Sequence, residues 1–269
     1  MREILHENPV RLKLEAGEPA IGGWVTLCSA AAAENLASVG WDWVSVDAEH
    51  SPVGFETLTD CFRAIQLAGS VPMAHVPWND PIWIQRTLDA GAMGLIIPMI
   101  SSAEDAARAV ADTRYATDGR RSYGGSRLRM YVDEDYAEWS ARNTLCIPMI
   151  ETIQAVERAE EILSVDGVAA CFVGPSDLAL SMGAEGKETG PGTAHEAAML
   201  HVLEVAEDLG VPAGKHCYDA AEIRMRISQG WQFLALASDA RFMLAAAKAE
   251  FEAVHLGDEA SDDEGSDLY

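Results

Sequence analysis

Lysine is scarce in this sequence of 269 residues, which has four lysines against 43 aspartates and glutamates. Arginine brings the basic total to 19, so the formal net charge is −24 at pH 7. Such an acidic surface argues against nucleic acid as a partner, because phosphate binding needs a basic surface. An acidic surface stays hydrated at high salt and repels itself at low salt, so we predict a halophilic source.

A long apolar run is also missing. No stretch of the chain approaches the roughly 18–20 apolar residues that a membrane-spanning helix needs. The first residues, MREILHENPVRLKLEAG, are charged throughout and lack the apolar core of a secretion signal. We therefore expect a cytoplasmic protein without a membrane partner.

The cysteines are few and widely spaced. Cys28, Cys61, Cys146, Cys171 and Cys217 form an odd-numbered set without a CxxC pair. This spacing argues against a disulfide framework and against a zinc site. Most of these cysteines lie in or beside predicted strands, so we predict buried free thiols.

Short apolar segments recur through the chain, and segments with helical periodicity separate them. The predicted strands are IGGWVTLC (21–28), WVSVD (43–47), VPMAHV (71–76), AMGLIIPM (92–99), LCIPMIE (145–151), VAACFVG (168–174), VPAGKHC (211–217) and FLALA (233–237). Eight such units predict an α/β protein with a (β/α)8 TIM barrel. A doubly wound sheet is the alternative, but it usually has fewer strands, and no GxGxxG follows the first strand.

Two segments interrupt this alternation. Residues 116–144 form a long connection before the fifth strand, and connections of this length tend to be functional or mobile. The last residues, GDEASDDEGSDLY, are acidic and poor in apolar side chains. We predict one barrel domain over residues 1–255 and a disordered acidic tail over residues 256–269.

The C-terminal ends of the predicted strands carry candidate catalytic groups, and this is where TIM barrels place their chemistry. Asp47, Glu49 and His50 follow the second strand, Glu151 ends the fifth, and Asp177 follows the sixth in GPSD. Two carboxylates on neighbouring strands suit Mg²⁺ or Mn²⁺, although each could instead cap a helix. Backbone N–H groups at the start of the GPSD helix could hold a substrate carboxylate.

Four further residues have competing interpretations. His50 could be a general base that faces the two carboxylates, or a turn histidine. Arg121, in the GRRSYGG part of the long connection, could clamp an anion or lie on the surface. Trp24 is predicted to be core or pocket wall. Lys215, at the end of the seventh strand, could form a Schiff base with a keto acid, which would be a mechanism without metal.

A set of motifs, met in order from about residue 20 to about residue 250, resembles a known family. WDWVSVDAEHSP, VPWNDP, LIIPM, RYATDGRRSYGG, IETIQAV and FVGPSDLALSMG are similar to the HpcH/HpaI aldolases, the metal-dependent class II pyruvate aldolases. The resemblance implies a (β/α)8 barrel that is often assembled as a homohexamer. It also implies that Glu151 and Asp177 hold a divalent metal, which would be Mg²⁺, Mn²⁺ or Co²⁺.

The resemblance also assigns roles to individual residues. It makes His50 the catalytic base and matches Asp89, in TLDAG, to the family aspartate that pairs with this histidine. It matches Gly174 and Ser176 to positions that contact the substrate carboxylate. The implied reaction is the reversible cleavage of a 4-hydroxy-2-oxo acid to pyruvate and an aldehyde, through a pyruvate enolate.

Two positions depart from the family pattern. His75 stands where the family usually has an arginine that stabilises the enolate. Met149, a predicted substrate-binding residue two positions before Glu151, stands where the family usually has a glutamine. Histidine supplies a cationic donor only when it is protonated, and methionine has no donor. Losing a preorganised donor to an oxyanion can cost on the order of 10²–10³ in rate. Two alternatives therefore stay open, which are an oxaloacetate decarboxylase with the same enolate and a non-catalytic keto-acid-binding protein.

Overall fold

The computed structural model describes residues 5–183 and 185–259, with only the backbone described at 185 and 255–259. Its strands pair in parallel in chain order, and the last pairs with the first, which closes a barrel. They are β1 (Ala20–Val25), β2 (Trp43–Asp47), β3 (Val71–His75), β4 (Gly94–Ile97), β5 (Leu145–Ile150), β6 (Cys171–Val173), β7 (Ala213–Cys217) and β8 (Phe233–Leu236). All eight predicted strands and the predicted TIM barrel are confirmed.

Helices surround the barrel and return the chain from the C-terminal ends of the strands to the N-terminal ends. They are α1 (Pro9–Glu15), α2 (Ala30–Ala37), α3 (Phe55–Leu67), α4 (Pro81–Ala90), α5 (Ala103–Thr113), α6 (Tyr136–Asn143), α7 (Ile153–Glu157), α8 (Ala159–Leu163), α9 (Pro175–Ser181), α10 (Ala194–Leu209), α11 (Ala220–Ser228) and α12 (Asp239–Glu259). Short 3₁₀ turns lie at Arg127–Tyr131 and Glu185–Lys187. None of the helices in the described parts of the chain combines the length and the apolar character that crossing a bilayer takes.

Capping side chains fix where the helices begin at the C-terminal rim of the barrel. The Asp80 carboxylate accepts hydrogen bonds from the N–H groups of Ile82 and Trp83, and Pro81 occupies the first turn of α4. Proline suits this position because its fixed backbone angle is helical and it has no N–H to leave unpaired. The start of α4 is thereby held beside the end of β3, where His75 lies.

Aromatic rings fill the interior of the barrel beneath this rim. Trp43 stacks on Phe233 with ring centroids 4.3 Å apart, and Phe172 packs edge-on against the same phenylalanine. A Cβ atom at Gly22 would lie 2.1 Å from the Trp43 ring, so only glycine leaves room for this indole. The packed rings close the barrel below the rim, as close packing of large side chains does in protein interiors.

The long connection and the tail differ from their sequence interpretation in different ways. The connection follows α5 at the N-terminal rim of the barrel and contains α6 together with a 3₁₀ turn. It is therefore structured and lies at the opposite end from the C-terminal rim. Helix α12 continues to Glu259, four residues into the predicted tail, and residues 260–269 lie outside the described residues.

The cysteines have no disulfide partners, as predicted. Cys61, Cys146, Cys171 and Cys217 are buried free thiols, and Cys28 is half-buried. Burial raises the pKa of Cys146 and the pKa of Cys171 to about 12, so both thiols stay protonated and behave as apolar core groups.

Candidate active site

A cavity of about 270 Å³ opens at the C-terminal rim of the barrel. The predicted site residues that line it are Trp24, His50, His75, Met149, Gly174, Ser176 and Asp177. A larger cavity of about 520 Å³ lies at the N-terminal rim among Leu14, Leu145 and Pro212. The smaller one is the candidate active site, because only there do the strand ends deliver ionisable side chains together.

His75 lies at the end of β3 between two carboxylates at the end of β2 and in the turn after it. Its Nε2 atom is 2.8 Å from Oε2 of Glu49, and its Nδ1 atom is 3.4 Å from Oδ1 of Asp47. Neither nitrogen has a partner in good hydrogen-bond alignment, so the attraction is chiefly electrostatic. Burial alone would lower the pKa of His75, but the two carboxylates outweigh it and raise the pKa to about 9. His75 is therefore an imidazolium at neutral pH.

Asp47 organises the turn that carries the other acidic and basic groups. One of its oxygens accepts hydrogen bonds from the N–H groups of Glu49 and His50, and the other accepts one from Trp24 Nε1. Burial would raise the pKa of Asp47, yet His75 and these donors outweigh it and lower the pKa to about 2. Asp47 therefore orients the turn and keeps its negative charge beside His75.

Glu151 is buried at the end of β5, next to the chain segment that carries Asp177. Its Oε1 atom accepts a hydrogen bond of 2.6 Å from the N–H of Met99, which has a left-handed backbone with φ of 56°. A Cβ atom at Gly174 would lie 2.7 Å from the Oε2 atom of Glu151, so glycine keeps the space beside this carboxylate open. Burial raises the pKa of Glu151, and the negative charge of Asp177 acts in the same direction.

The start of α9 brings Ser176 to the edge of the cavity. Gly174 precedes this helix, and no side chain caps its first turn. The Ser176 hydroxyl lies 3.4 Å from the hydroxyl of Tyr218, which follows β7. The N–H groups of an uncapped first turn lack intrahelical partners, so this edge of the cavity offers hydrogen-bond donors to an anion.

His50 and Asp89, the predicted base and its partner, lie at opposite rims within one chain. The His50 side chain is 66% exposed, with Nε2 at 3.6 Å from Oε2 of Glu49. Asp89 lies one residue before the end of α4, where the helix has returned to the N-terminal rim, and accepts a 2.7 Å hydrogen bond from Arg121. Arg121 is buried and also donates to the Ser140 hydroxyl. Arg121 is thus not a surface residue. Within one chain it also does not lie at the cavity, where it could clamp an anion.

Lys215 points away from the cavity, which removes the geometric basis for the Schiff-base alternative. Its side chain is 2% exposed and pairs with Glu222 of α11, outside the barrel wall. Glu222 in turn lies 3.5 Å from the guanidinium of Arg226, which forms a paired contact with Glu196. These residues tie α10 and α11 to the outer face of β7.

The residue after Lys215 points the opposite way, and the sequence interpretation assigned it no role. His216 lines the cavity and packs edge-on against Trp24, with ring centroids 5.7 Å apart. Tyr218 and Phe172 also line the cavity. Alternation of side chains along β7 predicts only that Lys215 and His216 lie on opposite faces of the strand.

Comparison with known proteins places this geometry in a family. The sequence model described as HpcH/HpaI aldolase/citrate lyase matches residues 20–246. A hydroxypyruvate/pyruvate aldolase from Paraburkholderia phytofirmans is 37% identical over 255 residues, 92% of this chain and 97% of that one. A 5-keto-4-deoxy-D-glucarate aldolase from Salmonella arizonae is 35% identical over 241 residues, 89% of this chain and 93% of that one.

A solved structure agrees with these sequence relationships. An HpcH/HpaI aldolase/citrate lyase family protein from Burkholderia cenocepacia is 33% identical, superposes with a TM-score of 0.85, and matches 92% of this chain and 99% of its own. The resemblance predicted from the sequence motifs is confirmed. The chain belongs to the HpcH/HpaI aldolase/citrate lyase family.

Proposed function

We propose that the protein is a divalent-metal-dependent aldolase that reversibly cleaves a 4-hydroxy-2-oxo acid to pyruvate and an aldehyde. The observation that carries this proposal is the buried His75 imidazolium, held by Asp47 and Glu49 at the cavity that Asp177 also lines. A fixed positive charge at this place suits a reaction in which negative charge develops on an oxygen. Relatives named hydroxypyruvate/pyruvate aldolase and 5-keto-4-deoxy-D-glucarate aldolase support this class of reaction.

The residues present fit a divalent metal with two protein ligands. Burial raises the pKa of Glu151 and the charge of Asp177 adds to this rise, so a cation between the two carboxylates would relieve their repulsion. Within residues 5–183 and 185–259, no group of three or more His, Cys, Asp or Glu side chains is arranged to hold a metal. Glu151 and Asp177 would therefore leave several positions free for substrate and water, which suits Mg²⁺, Mn²⁺ or Co²⁺. When bound, the cation supplies Lewis-acid stabilisation of charge on the 2-oxo oxygen.

The start of α9 would hold the carboxylate of the 2-oxo acid. Gly174 keeps this side of the cavity open, and the Ser176 hydroxyl and the free N–H groups of the first turn provide donors. This contact orients the keto carbon towards His75. The side chain of Met149 contributes apolar surface in place of a donor.

His50 is the proposed base. Its exposed imidazole could remove the proton of the 4-hydroxyl directly or through a water molecule, so that the bond between C3 and C4 breaks and the aldehyde leaves. The electron pair of that bond forms the enolate of pyruvate, and the His75 imidazolium stabilises the resulting oxyanion. Protonation of C3 completes the release of pyruvate.

The pairing of His50 with Asp89 remains part of the proposal and needs a second copy of the chain. Within one chain, the two residues lie at opposite rims, so Asp89 could approach His50 only from a neighbouring subunit. Helix α12 exposes Met243 and Leu244, and this apolar surface supports a homo-oligomer such as the hexamer that the resemblance implies. A halophilic source and a cytoplasmic location remain predictions.

A coupled assay of pyruvate release tests the proposed reaction. The substrate panel contains several 4-hydroxy-2-oxo acids together with oxaloacetate, and the assay runs at high salt. EDTA should abolish pyruvate release from the hydroxy-oxo acids, and Mg²⁺, Mn²⁺ or Co²⁺ should restore it. Activity that persists without metal would refute the proposal. Turnover of oxaloacetate alone would make the protein a decarboxylase, and pyruvate binding without any turnover would make it a binding protein.

A further inference from the structure

We infer that His216 determines substrate specificity by accepting a hydrogen bond from a hydroxyl group of the substrate. The inference rests on the proposed aldolase function and identifies a contact within the same cavity. Its basis is the position of the ring, the hydrogen bond that fixes its tautomer, and the chemistry of the surrounding wall.

The ring of His216 belongs to the cavity wall. It contacts Trp24 at 5.7 Å and Tyr218 at 6.0 Å between ring centroids, in edge-on arrangements. The neighbouring Lys215 points out of the barrel and pairs with Glu222. Because strand side chains alternate, anchoring Lys215 on the outer face keeps His216 on the inner face.

A backbone carbonyl fixes which nitrogen of His216 carries hydrogen. Its Nε2 atom lies 3.1 Å from the carbonyl oxygen of Ala237, and a carbonyl can only accept, so Nε2 is the donor. Ala237 has a left-handed backbone with φ of 48°, which residues other than glycine rarely adopt. Its N–H donates to the carbonyl of Cys217, which locks this conformation at the end of β7. Such backbone strain is often found where a functional group needs exact support.

The surroundings of His216 favour the neutral imidazole. Burial lowers the pKa of His216, and together with the positive charges of Lys215 and Arg241 it outweighs the hydrogen bond to Ala237 and the charge of Glu222, which raise the pKa. With hydrogen on Nε2, the Nδ1 atom of the neutral ring carries a lone pair. No residue in the described parts of the chain donates a hydrogen bond to Nδ1. His216 therefore offers the cavity an acceptor without a donor.

An acceptor in this position selects for an O–H group. The ring neighbours of His216 are Trp24 and Tyr218, and Phe172 stacks on Trp24. Asp47 already accepts the indole N–H of Trp24, and the Tyr218 hydroxyl lies beside that of Ser176. A substrate hydroxyl at this place can donate a hydrogen bond to Nδ1. A methyl group at the same place would leave the lone pair of Nδ1 buried without a donor. The hydroxyl could belong to C3 of the 2-oxo acid, as in hydroxypyruvate, or to C2 of the aldehyde, as in glycolaldehyde.

Matched substrate pairs distinguish these sources. The first pair compares hydroxypyruvate with pyruvate as the nucleophile, and the second compares glycolaldehyde with acetaldehyde as the acceptor. In His216→Phe the ring remains and the acceptor is lost, so kcat/KM for the hydroxylated member of one pair should fall about 10- to 100-fold. The other member of that pair should change less than about threefold. The pair that responds identifies where the hydroxyl lies.

Two control variants separate recognition from structure. In His216→Asn the side-chain oxygen occupies the place of Nδ1, so at least part of the preference for the hydroxylated substrate should return. The same substitution at the exposed His201, His201→Phe, should leave both preferences unchanged.

The outcomes separate this inference from the proposed function. An equal loss with all four substrates, or unchanged preferences in an active His216→Phe enzyme, would overturn the inference and leave the aldolase function intact. A wild-type protein that forms no carbon–carbon bond with any pair would overturn both.

Discussion

The Nε2 atom of His75 lies 2.8 Å from a carboxylate oxygen of Glu49, at a position that the sequence resemblance matches to an arginine. Glu49 and Asp47 make a histidine serve as a permanent cation around neutral pH, because they raise the pKa of His75 to about 9 against the opposing effect of burial. The site thus keeps a positive charge without the guanidinium. The difference is that this charge can be removed by titration, whereas that of an arginine cannot.

We predict that the activity depends on this charge. His75→Gln should lower kcat about 10²- to 10³-fold, because it removes a preorganised cationic donor to the enolate oxygen. The wild-type rate should also fall as pH rises through about 9, where His75 loses its proton. His75→Arg should retain activity and flatten that alkaline limb, since arginine stays charged. An alkaline limb that is identical in His75→Arg and wild type would contradict the assignment.

The same ion pairs should make the stability depend on pH. The pKa of His75 is raised in the folded state, so its contribution is fully present below about 6.5, its ordinary value, and is lost as pH rises through about 9. The pKa of Asp47 is lowered, so its contribution is present above about 3.8 and is lost as pH falls through about 2. The free energy of unfolding of wild type minus that of His75→Gln should therefore shrink between pH 6.5 and 9. Urea titrations at pH 6 and 9.5 measure this difference in the free energy of unfolding. A difference that is the same at both pH values would contradict the prediction.

Metal binding should be visible without catalysis. Addition of Mn²⁺ or Mg²⁺ at about 100 times its Kd should stabilise the folded protein by about 2.7 kcal/mol, which corresponds to a rise in Tm of roughly 5 °C. Glu151→Gln and Asp177→Asn should remove this rise, because each replaces a charged ligand by a neutral amide. Glu161→Gln, at an exposed acid of α8, is the matched control and should keep it. An equal rise in all four proteins would place the metal elsewhere.

Lys215 should prove structural. Borohydride should trap no covalent adduct with pyruvate, because the Lys215 amine pairs with Glu222 outside the barrel wall. Lys215→Met should lower the free energy of unfolding by up to about 3 kcal/mol, since the partly buried Glu222 would lose its closest cation and keep only the longer contact with Arg226. Lys215→Met/Glu222→Leu should recover much of this loss. Either variant, where folded, should cleave the hydroxy-oxo acid with a kcat close to that of wild type.

The contrast between Lys215 and His216 shows how far the sequence could be interpreted. Short apolar runs located all eight strands, and β2 was predicted at its observed bounds, Trp43–Asp47. Every position of β2 and β3 is buried, however, so apolar periodicity could not tell the inner from the outer face. On β7 this ambiguity directed attention to Lys215, which faces the helices, and away from its neighbour in the cavity.

The separation of Asp89 from His50 in the fold is a second difference between the sequence interpretation and the structure. The resemblance paired Asp89 with His50, and Arg121 was considered as an anion clamp, whereas the structure pairs Asp89 with Arg121 at the far rim. A motif records which residues a family shares and does not record which chain of an assembly supplies them. The charges of His75 and Asp47 were also beyond a sequence interpretation, because they depend on contacts of 2.8 and 3.4 Å that only the closed barrel creates.

The net charge of −24 should make the fold depend on salt. The screening length, over which the acidic side chains repel one another, is about 30 Å at 0.01 M salt and about 3 Å at 1 M salt. We therefore expect Tm to rise steadily from 0.01 M to 2 M KCl. NaCl should act like KCl over the lower part of this range, because screening depends on ionic strength. Sucrose, which stabilises folded proteins without screening charge, serves as the control at equal osmolality and should give a smaller rise. Differential scanning calorimetry measures these shifts, and a Tm that stays constant or falls with KCl would show that the surface charge does not limit stability.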